Sequence, residues 1–287
     1  MKRELNIAII VTDEELEAKN FKEFFGLYDN FIKRYGLVDH IKTTRFSAVQ
    51  KEWPANPLEY DGYVITGSKA SAYDKDEWIT VLKERVVHLD QNEVKICGIC
   101  FGHQIIAEAL GGKVEKNEKG WELGQHSIQV EESVIQIFSK ILNTNDTTKS
   151  VAVADVVIDE NNINDSNEVA TSDNSACSTQ AKKDKDFISI LQIHQDHVSV
   201  IPEGMISIGS TPKSPVQGML KESKNKPGSY HIISFQGHPE FDRSYISLLI
   251  NDLHEVDTDF RNEALKSLQE SSCQPWLSEL VYGFFNN

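Results

Sequence analysis

The chain has 287 residues, 39% of them hydrophobic, enough to bury a sizeable core. Lys and Arg total 29 against 44 Asp and Glu, a formal net charge of −15 that repels phosphate backbones and anionic headgroups, so neither a nucleic-acid nor a membrane partner is expected. Four cysteines (Cys97, Cys100, Cys177 and Cys273) are too sparse for a disulfide-stapled scaffold. The apolar run Ile7–Val11 is too short for a signal h-region and has no small-residue cleavage site behind it, and no apolar run approaches the ~20 residues of a transmembrane helix, so a soluble protein of the reducing cytoplasm is expected.

Asn6–Val11 (NIAIIV) is a near-continuous apolar run and reads as a strand buried on both faces. Residues 15–35 carry Leu16, Phe21, Phe24, Phe25, Tyr28 and Phe31 at helical spacing, with Gly36 as a stop. Tyr63–Thr66 is a second buried strand, ending at Gly67-Ser68, and Asp76–Leu89 reads as a helix. Val94–Ile99 is a third strand, and Phe101–Leu110 a helix closed by Gly111-Gly112. Strand alternating with helix implies a covered, mostly parallel sheet, a three-layer α/β/α arrangement. Residues 144–186 are rich in Asn, Asp, Ser and Thr and are expected to be a mobile insertion rather than a domain, with only Val151–Ile158 able to form a strand. Phe187–Ile193, Met205–Gly209 and His231–Phe235 read as further strands, and 243–254 and 258–285 as amphipathic helices. The expected organisation is one domain over 1–287, with a core at about 5–254, the insertion, and a helical segment at 255–287.

Chemistry concentrates at Gly98-Ile99-Cys100-Phe101-Gly102, where a buried strand meets a helix. This is the pattern of a nucleophile elbow with sulfur in place of a hydroxyl, its tight turn leaving no room for side chains two positions either side. It sets Cys100 at a helix N-terminus, where the dipole favours a thiolate, and aims the N–H of Phe101 at a developing oxyanion. Glycines also flank ordinary strand ends, and a buried cysteine is usually inert, so the elbow needs a base to be informative. Among nine histidines, His238 leaves a strand, follows a glycine and precedes Pro239, which keeps it extended. Glu240, two residues on, projects to the same side and can orient the imidazole.

Gly98-Ile-Cys-Phe-Gly-His-Gln104 together with Gln236-Gly-His-Pro-Glu240 resembles the class I (triad) glutamine amidotransferases over roughly 5–143 and 187–252. Within that family the chain is most similar to stand-alone fungal amidotransferase-like proteins and plant γ-glutamyl peptidases, which share a loop like Thr66-Gly67-Ser68 and an element like His194-Gln195-Asp196. The resemblance implies a flavodoxin-like fold and a triad of Cys100, His238 and Glu240. It also implies an oxyanion hole from Phe101 and the Gly67-Ser68 loop, and substrate contacts from Gln104, His194 and Asp196. The implied substrate is glutamine or another γ-glutamyl compound, cleaved through a glutamyl thioester with no cofactor and no metal. The roughly 47 residues after Glu240 are too few for a synthetase domain, so either a separate synthetase subunit takes the ammonia or the enzyme is a plain hydrolase.

One departure stands out. Amidotransferase members commonly show Gly-Gly-Pro after the second strand, whereas this chain has Gly67-Ser68-Lys69, and Ser68 cannot take a positive φ without strain. The change fits the peptidase-like branch. Three rival readings remain open. Cys97-Gly98-Ile99-Cys100 is also a C-x-x-C redox motif. Cys97, Cys100, His194 and His197 have the composition of a zinc site. A non-catalytic member that binds a partner or a γ-glutamyl ligand is the third.

Overall fold

The computed structural model describes residues 4–13, 41–142, 187–269 and 275–287. The helix expected over 15–35 with its stop at Gly36, the 144–186 insertion with its strand at Val151–Ile158, and Cys177 and Cys273 lie outside these residues. In chain order the described elements are β1 (Leu5–Val11), β2 (Ile41–Ser47), β3 (Gly62–Ile65), α1 (Glu77–Gln91), β4 (Lys95–Ile99), α2 (Phe101–Ala109), β5 (Lys113–Lys116), β6 (Glu122–Gln129), α3 (Glu132–Ile141), β7 (Phe187–His194), β8 (Asp196–Val200), β9 (Met205–Ser207), β10 (Gly218–Glu222), β11 (Tyr230–Phe235), α4 (Arg243–Asp252), α5 (Thr258–Ser267) and α6 (Pro275–Asn286). The single helix expected at 258–285 is thus two, α5 and α6, with 270–274 between them outside the described residues.

The central sheet runs β2-β1-β3-β4-β11-β10-β9. Its first five strands are parallel, and β10 and β9 then alternate antiparallel. The order 2-1-3-4 with β11 in fifth place is that of flavodoxin-like sheets. Side-chain alternation sends Ile7, Ile9 and Val11 to one face of β1, and Ala8 and Ile10 to the other. The second face is covered by α1 and α2, through Ile79, Leu82, Val86, Ile105 and Ile106. The first is covered by α3, α4, α5 and α6 together with the antiparallel ribbon β6–β7. The fold is therefore three-layered, α/β/α. Both faces are apolar because both are buried, which is why β1 reads as a run rather than an alternation. No helix among the described residues is long and apolar enough to cross a membrane.

The parallel strands β1, β3, β4 and β11 all end on one side of the sheet, followed by Thr12, Thr66, Cys100 and Gln236 respectively. Open α/β sheets bind ligands at these carboxyl ends. The sharpest turn among them is β4 to α2, which contains no linker: β4 ends at Ile99 and α2 begins at Phe101. Cys100 bridges them with φ 52° and ψ −105°, a conformation costing of order 1–3 kcal/mol for a non-glycine residue. Three main-chain hydrogen bonds hold it. Cys100 N–H donates to Phe235 O at 2.8 Å, Gln104 N–H to Cys100 O at 3.0 Å, and Gly102 N–H to Thr66 O at 3.1 Å.

The last of these bonds needs a glycine. A β-carbon at 102 would overlap the carbonyl oxygen of Ile65, and one at 98 would lie 2.5 Å from Gly102 O and 2.6 Å from Ile106 Cδ1. Neither backbone can yield without opening the turn. Gly102→Ala is therefore expected to destabilise the fold by about 1–3 kcal/mol, read as a lower urea midpoint at unchanged m-value. A variant as stable as the parent would contradict this packing.

Candidate functional site

A cleft of about 1020 Å³ opens above the carboxyl ends of the strands, and Ser68, Cys100, Gln104, His194, Asp196 and His238 line its inner wall. Trp121, Phe241, Tyr245, Leu248 and Leu249 form an apolar outer wall. A smaller cavity of about 270 Å³ lies at the amino end of β4 and β11. Its Lys95 and Lys226 ammonium groups donate to main-chain oxygens of Phe284 and Asn287 at 2.7 and 2.9 Å, and the sequence motifs are remote from it.

The turn after β11 carries His238 into the cleft. Its N–H donates to Leu191 O on β7 at 2.8 Å, and a β-carbon on the preceding Gly237 would meet that same oxygen at 2.8 Å, so only glycine lets the turn lie this close to β7. The His238 ring is buried. Nδ1 bonds Glu240 Oε1 at 2.7 Å, Phe241 stacks flat on the ring at 4.0 Å and 7°, and the side chain of Cys100 is its third contact. With Nδ1 engaged, Nε2 is the nitrogen left to face the sulfur. Burial opposes charge on this ring, but Glu240 and Cys100 together outweigh it and push the His238 pKa up to about 10. Glu240 is fully buried, and its second oxygen, Oε2, has no hydrogen-bond partner among the described residues.

The Gly67-Ser68 loop is held from β1. Thr12 Oγ1 donates to Gly67 O at 2.8 Å, and Lys69 N–H donates to Asp13 Oδ2 at 2.9 Å. Among the described residues, the non-glycines with positive φ are Lys51, Glu93 and Cys100. Ser68 is not one of them, so the serine that replaces a family glycine here carries no such strain. Phe101 opens α2, where a helix start leaves its N–H without an intrahelical acceptor.

Gln104, His194 and Asp196 also converge. Gln104 Nε2 donates to Asp196 O at 2.9 Å and to Gln236 Oε1 at 3.2 Å, and Gln236 Nε2 lies 3.8 Å from Cys100 Sγ. His194 Nδ1 also meets Asp196 O, at 2.9 Å. The Asp196 carboxylate accepts from Ser71 Oγ at 2.5 Å and Tyr73 OH at 3.1 Å. Behind His194, its register partner Glu122 on β6 approaches Nε2 at 3.2 Å. Glu122 is 1% exposed, and it also accepts from Thr211 and Gln217 at 2.7 Å each. Burial raises its pKa, but His194, then Thr211 and Ser214, outweigh it and bring it down to about 2.

The sequence reading did not single out Glu122, Ser71 or Tyr73, nor give a role to Gln236 or Thr12. The β6–β7 pairing brings in Glu122, the end of β11 Gln236, and the segments after β1 and β3 Thr12, Ser71 and Tyr73; the sole local signal was a glutamate in the otherwise half-apolar segment 121–124. Cys97 lies wholly inside the core; burial and then the nearby Glu240 push its thiol pKa up, and both Cys97 and Cys100 are free. A buried, protonated Cys97 does not suit a redox pair, in which both sulfurs sit at a helix start. Among the described residues, no group of three or more His, Cys, Asp or Glu side chains is placed to hold a metal ion.

A sulfur on a strand-to-helix elbow, facing an imidazole that a buried carboxylate holds, is an arrangement suited to thiol-based acyl transfer. Residues 27–252 match the glutamine amidotransferase class-I family, and the chain belongs to it. It is similar to gamma-glutamyl peptidase 2 of Arabidopsis thaliana, with 29% identity over 84% of this chain and 78% of that one. A glutamine amidotransferase-like protein of Schizosaccharomyces pombe is 27% identical over 84% of this chain and 83% of its own. Among solved structures, a glutamine amidotransferase from Thermotoga maritima superposes with a TM-score of 0.62 at 15% identity, covering 99% of both chains, a likeness of fold.

The buried Glu122 gives an acid-stability prediction. A carboxylate whose folded pKa lies below the ordinary glutamate value of 4.5 contributes stability that is present above pH 4.5 and lost as the pH falls toward about 2. Glu122→Gln is expected to flatten the dependence of unfolding free energy on pH across that window, as followed by circular dichroism in urea. An unchanged slope would contradict the depressed value.

Proposed function

We propose that the cleft hydrolyses γ-glutamyl amides through a glutamyl thioester on Cys100, with His238 and Glu240 completing the triad. The supporting observation is the buried His238 ring, held by Glu240 on one side and bonded to the Cys100 side chain on the other. The sulfur attacks the γ-carbonyl carbon as a thiolate, having given its proton to His238. Negative charge then gathers on the carbonyl oxygen, where the N–H of Phe101 and an N–H of the Gly67-Ser68 loop stabilise it. His238 passes the proton to the leaving nitrogen, the C–N bond breaks, and the amine departs. Water, deprotonated by the same ring, attacks the thioester, and glutamate leaves as the thiol re-forms. Glu240 fixes the ring and offsets its charge throughout.

Gln104, His194 and Asp196 are read as the wall that recognises the glutamyl group. The Asp196 carboxylate, steadied by Ser71 and Tyr73, suits an ammonium group. The cleft continues past the sulfur along Trp121, Phe241, Tyr245 and Leu249, leaving room for a leaving group larger than ammonia. This supports the γ-glutamyl peptidase reading over glutamine hydrolysis, as does the name of the Arabidopsis relative.

The deciding assay incubates the protein with glutamine, glutathione and a panel of γ-glutamyl peptides and measures ammonia and amine. Amine released from the peptides is expected. Ammonia from glutamine alone would favour an amidotransferase feeding a separate synthetase subunit, and no product from any substrate would favour a binding member. Cys100→Ala is expected to abolish turnover, since no other group in the cleft can form the thioester.

The pH profile tests the His238 role. Its pKa is raised from 6.5 to about 10, so the charged ring persists across neutral pH and is lost as the pH rises through about 10. The high-pH limb of kcat/KM is expected near there. Glu240→Gln removes the negative charge while burial still opposes the cation, so the limb should move to lower pH, with kcat reduced by roughly 10²–10⁴. A limb unmoved by Glu240→Gln would remove Glu240 from the triad.

A further inference from the structure

The two ends of a glutamine amide look alike in shape, and only their partners say which end points where. In this cleft the partners form a chain anchored on a group that cannot donate. The main-chain carbonyl of Asp196 accepts from Gln104 Nε2 at 2.9 Å. That fixes the nitrogen of Gln104 toward β8, and its second N–H reaches Gln236 Oε1 at 3.2 Å. Gln236 must then turn its own nitrogen the other way, and there Nε2 meets Cys100 Sγ at 3.8 Å. Turning Gln236 over would set N–H against N–H at Gln104 and oxygen against sulfur at Cys100. Gln104 is 3% exposed and Gln236 fully buried, so water is a poor substitute for a lost partner. His194 Nδ1 at the same Asp196 oxygen, backed by Glu122, steadies the anchor.

We propose that Gln236 is a further catalytic residue, its amide N–H donating to the Cys100 sulfur and stabilising the thiolate, while Gln104 and the Asp196 carbonyl are the positioning groups that set the direction of that donation. The inference rests on the reading of Cys100 as the nucleophile. Cys100 is only 7% exposed, so few waters can solvate a charge on its sulfur. His238 supplies one donor, and that proton is transferred during each turnover. Gln236 supplies a donor that is not consumed, so the sulfur keeps a hydrogen bond whenever it is a thiolate, before it attacks the carbonyl and again as the thioester is cleaved. A consequence follows for Gln104. With both N–H groups engaged, it offers a substrate only Oε1, an acceptor, and so meets an ammonium or amide N–H rather than a carboxylate.

The test is alkylation of Cys100 by iodoacetamide as a function of pH, read by mass spectrometry on the full-length protein, with Cys100→Ala as the blank. Gln236→Met keeps the volume and removes the donor. It is expected to slow alkylation at neutral pH about tenfold, the scale of one hydrogen bond to a charged group, and to move the rate-versus-pH curve to higher pH. Gln236→Glu, which presents an acceptor, is expected to move it further. Gln104→Leu, whose side chain does not touch the sulfur, should move the curve in the same direction by releasing the Gln236 amide, which a purely structural role would not do. In turnover, Gln236→Met should lower kcat with KM within about twofold. If Gln236→Met fails to fold, Gln236→Glu and Gln104→Leu carry the decision. Folded variants that alkylate on the parent's curve overturn the proposal while leaving the nucleophile reading intact. A parent protein whose Cys100 resists alkylation at every pH overturns both.

Discussion

Helix α2 begins closer to the sheet than any side chain at position 98 or 102 would permit, and the geometry of Cys100 depends on that approach. The bond from Gly102 N–H to Thr66 O ties the first turn of α2 to the end of β3, and the bond from Cys100 N–H to Phe235 O ties it to the end of β11. Those same two strand ends lead to the Gly67-Ser68 loop and to Gln236–Glu240. One local close approach therefore sets the spacing of three segments far apart in sequence. The strain in Cys100, of order 1–3 kcal/mol, is outweighed by packing on both faces of the sheet, where each fully buried Ile or Phe contributes about 1.5–3 kcal/mol.

The site contains two carboxylate–histidine pairs with different surroundings. His238 faces the sulfur with Glu240 behind it, and His194 lines the same inner wall of the cleft with Glu122 behind it. Glu122 accepts from Thr211 and Gln217, which ties β6 to the connection between β9 and β10. Glu240, by contrast, has one oxygen on His238 and a second without a hydrogen-bond partner among the described residues.

Much of this was legible from residues alone. The buried strands β1, β3, β4 and β11 announce themselves as apolar runs, and the glycines around Cys100 and the His-Pro-Glu turn mark the ends that matter. What was not read was β2, β5, β6, β8 and β10, and the helix α3. Segments such as Lys113–Lys116 or Ile41–Ser47 have little apolar content and become strands because a partner distant in sequence completes their ladder. Glu122 was missed for the same reason, since it meets His194 only through a pairing that spans more than seventy residues. The sequence comparison with the family raised a question over Ser68 that sterics alone could not answer. The observed loop meets it by keeping Ser68 at negative φ and holding its neighbours through Thr12 and Asp13.

Phe241 lying flat against the His238 ring has a kinetic corollary under the proposed chemistry. An imidazole clamped on its face by one neighbour and at one nitrogen by another cannot swivel to chase a departing group. The proton must be collected and handed over at a single fixed point, so the scissile nitrogen has to arrive where the sulfur's hydrogen was. Substrates whose amide cannot present that lone pair on this side are then poor ones however well they dock, and selectivity becomes a matter of stereoelectronic alignment as much as of pocket shape.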